Sequence, residues 1–100
     1  MDMTSQQLSD HLQKDSDIQI VDVREADEVA SGMIAGAKHI PLGELPARLG
    51  ELDKSRRVVA VCRSGRRSEA AAEQLAAAGF TSFTMTGGML DWTAAGLPTG

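Results

Sequence analysis

The sequence predicts an α/β fold in which helices cover both faces of a parallel sheet. Short runs rich in β-branched residues, at 18–23 and 58–61, alternate with runs of helical character on short connections. The apolar runs show little polar alternation, which is typical of strands buried on both faces of a parallel sheet. A length of 100 residues suits one domain spanning 1–100.

The first predicted element is a surface helix over residues 5–14. Thr4 and Gln7 have the spacing of a capping box, and Leu8 and Leu12 form an apolar stripe. The elements expected next are a break at 15–17, a strand at 18–23, a short helix at 25–31 ending at Gly32, a loop at 33–37 and a strand at 38–40.

The second half continues the alternation of helices and strands. A helical turn is expected within 43–52, with Leu45, Leu49 and Leu52 facing inward. The strand at 58–61 leads to a polar loop and then to a helix at 69–78. For this helix we expect Ser68 as N-cap and a packing face of Ala71, Leu75, Ala76 and Ala78. A strand at 80–85 and a helix at about 89–95 complete the chain.

The composition is that of a soluble globular protein, with 42% hydrophobic and 24% charged residues. No apolar run approaches the roughly 20 residues of a membrane span. Residues 1–7 lack the features of a signal peptide. The single cysteine, Cys62, excludes an internal disulfide, and we therefore expect a reducing, cytoplasmic location.

The net charge of −4 conceals a segregation of charges. Six of the ten basic residues lie within 54–67, a segment without any acidic residue, and the rest of the chain is strongly acidic. The six are Lys54, Arg56, Arg57, Arg63, Arg66 and Arg67. This distribution disfavours nucleic acid as a partner, because a long phosphate backbone would meet repulsion outside the basic segment. It favours a small anion, although a solvated basic face is the alternative.

The loop after the strand at 58–61 begins at the only thiol. A free thiol with a pKa of about 8.5 is only about 3% ionised at pH 7, so a nucleophilic role requires stabilisation of the thiolate. Loop N–H groups, a helix N-terminus and cations supply that stabilisation. The candidate groups are Arg63, Ser64, Gly65, Arg66, Arg67 and Ser68, with Gly65 permitting the backbone reversal. The alternative is that Cys62 is a small buried hydrophobe and the arginines are solvated charges.

Three segments then stand in a fixed order along nearly the whole chain. The first has Ile-Val-Asp-Val-Arg at 20–24, Glu28 and Gly-Met-Ile-Ala-Gly-Ala at 32–37. The second is Cys-Arg-Ser-Gly-Arg-Arg at 62–67, and the third has Gly87-Gly88, Trp92 and Gly-Leu-Pro at 96–98. Together they resemble the signatures of single-domain rhodaneses, which are thiosulfate:cyanide sulfurtransferases. One departure is Met33, where that family usually has histidine.

The resemblance implies a three-layer α/β/α fold with a mostly parallel sheet of about five short strands. It also implies a two-step sulfur transfer, in which the Cys62 thiolate takes sulfur from thiosulfate or a similar anionic donor and becomes a persulfide. The loop residues 63–68 would bind the donor. With no second cysteine in the chain, the acceptor must be external, either cyanide or a thiol. No cofactor, metal or membrane is implied.

Two other functions remain open from the sequence. A cysteine phosphatase or arsenate reductase has five residues between its cysteine and its arginine, whereas here that position holds Ser68 and the arginine, Arg67, comes one place earlier. A non-catalytic rhodanese-like binding or regulatory module typically lacks the cysteine that this chain retains.

Several other residues are interpreted as structural. Asp22 and Arg24, at the end of a predicted strand, are expected to form ion pairs that position loops. His11 and His39 are far apart and, with one cysteine, form no metal-ligand pattern. Trp92 is expected to anchor the last helix to the sheet.

Overall fold

A computed structural model describes residues 1–14 and 17–100 and confirms the predicted α/β class. Its five strands pair in parallel, in the order β1-β5-β4-β2-β3. The strands are β1 (Asp2–Met3), β2 (Gln19–Asp22), β3 (Lys38–His39), β4 (Val58–Val61) and β5 (Ser82–Met85). The three inner strands, β5, β4 and β2, have four residues each and the two edge strands have two, and the central strand β4 leads directly into the cysteine loop.

Four α-helices and two 3₁₀ helices connect the strands. They are α1 (Ser5–Gln13), α2 (Ala26–Val29), α3 (Arg66–Ala77) and α4 (Gly88–Ala94), with 3₁₀ segments at Leu42–Ala47 and Leu49–Glu51. The predicted capping box of α1 is confirmed, because the Gln7 N–H donates to Thr4 Oγ1 at 3.0 Å and the Thr4 N–H donates to Gln7 Oε1 at 2.9 Å. The break predicted at 15–17 falls largely on Asp15 and Ser16, outside the described residues. Within the described ranges, no helix has both the length and the apolar character needed to cross a bilayer.

Helices pack on both faces of the sheet, which gives three layers. Successive residues of β4 point to opposite faces. On one face Val58, Ala60 and Cys62 pack with Leu75 of α3 and with leucines of the 3₁₀ segments. On the other face, Val59, Val61 and Met85 pack with side chains of α1 and α4, including Leu8 and Trp92. Trp92 is 1% exposed, as expected for an anchor of the last helix.

The start of α3 corrects two predictions. The helix begins at Arg66 rather than at 69, and its N-cap is Gly65, with a φ of 111°, so the prediction of Ser68 as N-cap is wrong. Ser68 lies in the first turn, where its hydroxyl donates to the Gly65 carbonyl at 2.9 Å. The buried stripe of α3 is Ser68, Ala71, Ala72 and Leu75, which has regular helical spacing. Ala76 is therefore exposed, contrary to prediction.

Other differences concern short elements. The edge strand β1 was not predicted, since two residues carry too little pattern to detect. The expected helical turn at 43–52 is two 3₁₀ segments, the first of which contains Pro46. Leu45 and Leu52 are buried as predicted, while Leu49 is only partly buried.

The first turn of α4, which follows β5, holds the start of the cysteine loop by two backbone hydrogen bonds. The N–H of Met89 donates to the Cys62 carbonyl at 2.8 Å, and the N–H of Leu90 donates to the Arg63 carbonyl at 3.0 Å. This approach requires glycine at position 88, where φ is 59° and an added Cβ would lie 2.5 Å from the Arg63 carbonyl and 2.6 Å from Cys62 O. The backbone of α4 thus fixes the two residues that begin the loop.

We expect Gly88→Ala to destabilise the protein by about 3 kcal/mol or more, because the new methyl group meets backbone atoms that cannot turn aside. The control is Gly96→Ala, where φ is 73° but a Cβ meets no atom within 4 Å. That substitution should cost only the backbone strain of about 1 kcal/mol. Urea denaturation of both variants measures the difference, and equal losses would contradict the role given to the contact with the loop.

Candidate active site

Cys62 follows β4 at the carboxyl edge of the sheet, where sites gather in parallel α/β folds. Its side chain is only 1% exposed, and it lies beneath the loop that runs to the start of α3. The N–H of Gly65 donates to the sulfur at 3.0 Å. The left-handed backbone at Gly65 turns that N–H toward the sulfur.

Two opposing effects act on the thiol. Burial opposes its ionisation. Hydrogen bonds from the Ser68 hydroxyl and backbone and from the N–H groups of Gly65 and Ser64 outweigh that burial and hold the pKa of Cys62 below its ordinary value. The loop therefore stabilises a thiolate by hydrogen bonding.

A buried pair of hydroxyl groups lies beside the sulfur. Ser68 Oγ is 3.6 Å from Cys62 Sγ and 2.5 Å from Thr84 Oγ1 on β5. Ser68 is fully buried and Thr84 is 6% exposed. Thr84 was missed from the sequence. The signal available there was a pair of hydroxyl residues, Ser82 and Thr84, at alternate positions of a strand otherwise made of apolar residues.

The three loop arginines differ in their partners. Arg67 makes a bidentate pair with Glu28 of α2, with distances of 2.6 and 2.7 Å. These bonds lower the pKa of Glu28 to about 2 and raise that of Arg67. Arg63 and Arg66 are exposed, and in the described part of the chain neither side chain has an ion pair or hydrogen bond. The structure thus leaves two of the three loop arginines available to a ligand.

The predicted basic segment is not one surface. Arg56 and Arg57 lie before β4, and five or more residue steps of extended chain, roughly 16 Å, separate them from Cys62. The Arg57 guanidinium pairs with Asp17 at 2.9 Å, and Arg56 donates to the carbonyls of Asp17 and Ile18. Lys54 lies over the ring of Phe80, 5.6 Å from its centroid. Only the arginines after β4 belong to the site.

The segment that carries Glu28 is held by a buried ion pair, as predicted for Asp22 and Arg24. These side chains are 1% and 6% exposed, and the guanidinium contacts the carboxylate at 2.8 Å. Arg24 also donates to the Gly32 carbonyl at 2.8 Å. A ring nitrogen of His39 lies 2.7 Å from the Arg24 carbonyl oxygen, a structural contact. The pair thereby fixes the chain before and after α2.

Two shallow cavities flank the loop. One, of about 190 Å³, is lined by Ser64, Gly65, Arg66 and Thr84, among others. The other, of about 210 Å³, includes Arg63 in its wall. Ser64 is exposed at the loop surface, so its side chain is directed to solvent while its N–H faces the sulfur. Among residues 1–14 and 17–100, no group of three or more His, Cys, Asp or Glu side chains is placed to hold a metal ion.

Residues 4–95 match the family described as the rhodanese-like domain. The chain is 38% identical over 98 residues to a sulfurtransferase of Allochromatium vinosum, covering 97% of this chain and 92% of that protein. It is 33% identical over 84 residues to the thiosulfate sulfurtransferase GlpE of Coxiella burnetii, covering 83% and 78%. The crystal structure of a rhodanese-related protein from Thermoplasma volcanium superposes with a TM-score of 0.92 at 28% identity, covering 99% and 96%.

The Arg67–Glu28 pair predicts an acid-dependent loss of stability. The folded state lowers the pKa of Glu28 from 4.5 to about 2, so the stabilisation is fully present above pH 4.5 and is lost as the pH falls toward 2. Glu28→Gln should therefore lower stability at pH 7, by about 1 kcal/mol or less for a partly exposed pair, and the deficit should shrink between pH 4.5 and 2.

Urea denaturation at a series of pH values measures this deficit. Glu73→Gln, an exposed position on α3, serves as the control for removal of a glutamate. A deficit in Glu28→Gln that stays constant down to pH 2 would contradict the role assigned to the ion pair.

Proposed function

Because this chain belongs to the rhodanese-like domain family, we propose that it is a sulfurtransferase that carries sulfane sulfur as a persulfide on Cys62. The observation that carries this proposal is the buried Cys62 sulfur, which receives the Gly65 N–H at 3.0 Å in a loop that also carries Arg63 and Arg66, two exposed arginines with no ion pair among the described residues. A stabilised thiolate with cations on the same loop suits attack on an anionic sulfur donor.

The proposed reaction has two steps. In the first, the Cys62 thiolate attacks the outer sulfur of thiosulfate, forming a new S–S bond. The bond between the two thiosulfate sulfurs breaks, and its electron pair leaves with sulfite. In the second, cyanide or a thiolate attacks the terminal persulfide sulfur, which gives thiocyanate or a new persulfide and returns the Cys62 thiolate. Charge balances in each step, and no oxidant or reductant is required.

The surroundings of Cys62 favour thiosulfate among small anions. A sulfur that is 1% exposed is reached only by a donor whose reacting atom projects beyond its bulk, as the outer sulfur of thiosulfate does. The two charges of that anion match the two cations, Arg63 and Arg66, that have no ion pair among the described residues. The relative in Coxiella burnetii is named a thiosulfate sulfurtransferase, which agrees with this choice of donor.

We assign the acceptor role to an external cyanide or thiol, because the chain has one cysteine and so no internal thiol to resolve a persulfide. A persulfide that must meet thiol acceptors suits a reducing compartment, and we propose the cytoplasm.

The rival functions have less support. In a phosphatase-type loop an arginine cradles the oxyanion, whereas here Arg67 is bound to Glu28 and position 68 is a buried serine. A purely regulatory module would need no donors around a cysteine, yet the Cys62 sulfur is surrounded by hydrogen-bonding groups. Aryl phosphate turnover without persulfide formation would favour the phosphatase.

The first test is persulfide formation on Cys62. Intact-mass measurement after incubation with thiosulfate should show a gain of one sulfur atom in the wild-type protein and none in Cys62→Ser. Subsequent cyanide should remove the added mass and release thiocyanate. No gain in the wild type, or an equal gain in Cys62→Ser, would sink the proposed mechanism.

The second test separates the loop arginines from the other basic residues. Arg63→Ala and Arg66→Ala should each raise the KM for thiosulfate by roughly threefold to tenfold, because each removes one partly screened charge near the donor. Arg57→Ala, at the far end of β4, is the matched control and should leave KM unchanged. Steady-state thiocyanate formation at low and high salt measures the KM of each variant. Equal KM values in all three variants would contradict the assignment of donor binding to the loop arginines alone.

A further inference from the structure

Two hydroxyl residues of β5 face α3 and bond to it at corresponding positions. Ser82 Oγ donates to the Ala72 carbonyl at 2.7 Å, and Thr84 Oγ1 lies 2.5 Å from Ser68 Oγ. A two-residue step along a strand and a four-residue step along a helix are both roughly 6 to 7 Å, so the two contacts stay in register. Both hydroxyls therefore fasten α3 to the sheet.

The two contacts nevertheless differ in what they reach. Ser82 binds a backbone carbonyl of α3, away from the cysteine loop. Thr84 binds the one side-chain hydroxyl that also contacts the Cys62 sulfur, at 3.6 Å. A hydroxyl that only attached α3 to the sheet could bind a backbone carbonyl, as Ser82 does. Thr84 instead binds Ser68, and this contact links it to the thiol.

The hydrogen-bonding capacity of Ser68 determines which group donates in its contacts with Cys62, Gly65 and Thr84. A hydroxyl has one proton to donate and two lone pairs to accept with. When Cys62 is a neutral thiol, its S–H donates to Ser68 Oγ and the Ser68 proton goes to the Gly65 carbonyl, 2.9 Å away. When Cys62 is a thiolate, the sulfur needs a donor, and the Ser68 proton can turn to it. In both states the Ser68 oxygen has a lone pair for the Thr84 proton.

We propose that Thr84 is a positioning residue, which donates to Ser68 and so holds the Ser68 hydroxyl where its proton can turn onto the Cys62 sulfur. Its contribution to turnover rests on the sulfur transfer proposed above, whereas its effect on the thiol itself does not. Thr84 does not contact the sulfur, and it acts only through Ser68.

The charged and titratable groups around Cys62 are the same in the wild type and in variants at Thr84 and Ser82. On the elements at this edge of the sheet they are Asp2, Asp22, Arg24, Glu25, Glu28, His39, Arg63, Arg66, Arg67, Glu69 and Asp91. Substitution of Thr84 or Ser82 by an uncharged residue removes none of them. A change in the titration of Cys62 between these variants therefore reports the hydroxyl groups and not a change of charge.

The test is the rate of alkylation by iodoacetamide between pH 5 and 10, which needs no sulfur donor. Thr84→Val keeps the shape of the side chain and removes the hydroxyl. We expect the midpoint of its profile to rise by roughly half to one unit, so that alkylation below the midpoint slows roughly threefold to tenfold. Thr84→Ser restores the hydroxyl and should return the midpoint to that of the wild type. Ser82→Ala, the matched control for loss of a hydrogen bond between β5 and α3, should leave the midpoint unchanged.

A double-mutant comparison covers the case in which Thr84→Val weakens folding. In a Ser68→Ala background Thr84→Val should cause no further rise in the midpoint, because the hydroxyl through which Thr84 acts is gone. An unchanged midpoint in Thr84→Val, an equal rise in Ser82→Ala, or an additive rise in the double variant would overturn the proposal. A wild-type protein that takes no sulfur from thiosulfate would contradict the proposed function while leaving the alkylation result valid.

Discussion

The hydrogen bond from the Gly65 N–H to the Cys62 sulfur is the contact on which the rest of the site depends. It requires the left-handed backbone at Gly65, and that same backbone starts α3 at the next residue. Arg67 and Ser68 are thereby placed in the first turn of the helix, where one is directed to Glu28 and the other to β5. A single reversal of the chain thus fixes the thiol, its hydroxyl neighbour and one of the three loop arginines together.

A second constraint is electrostatic and divides the arginines by role. The buried Asp22–Arg24 pair secures the segment that presents Glu28, and Glu28 in turn neutralises Arg67. Among the described residues, Arg63 and Arg66 are therefore the two loop cations without a carboxylate partner, and both are exposed to solvent. Charges that are free before a ligand arrives need break no existing ion pair to bind it.

The sequence was informative where structure is local and silent where it depends on pairing between distant segments. Four of the five strands, the capping box of α1 and the thiol at a strand end follow from short patterns. Ser68 was expected to cap α3 because serine favours that position locally, but the sulfur and Thr84 occupy its hydroxyl instead. The basic segment appeared continuous only because the strand that divides it is short in sequence. The Arg67–Glu28 pair joins residues 39 positions apart, which no local pattern records.

Sulfur transfer moves the negative charge between two atoms, and the donors around Cys62 differ in their ability to follow it. Backbone N–H groups such as that of Gly65 are fixed by the loop and stabilise charge wherever it lies within their reach. The Ser68 hydroxyl, by contrast, can rotate and donate its proton to a different acceptor. Once the charge passes to the outer sulfur of a persulfide, the Ser68 proton can return to the Gly65 carbonyl, so neither group is left buried without a partner. A rotatable hydroxyl donor together with fixed backbone donors allows one small loop to accommodate both the thiolate and the persulfide.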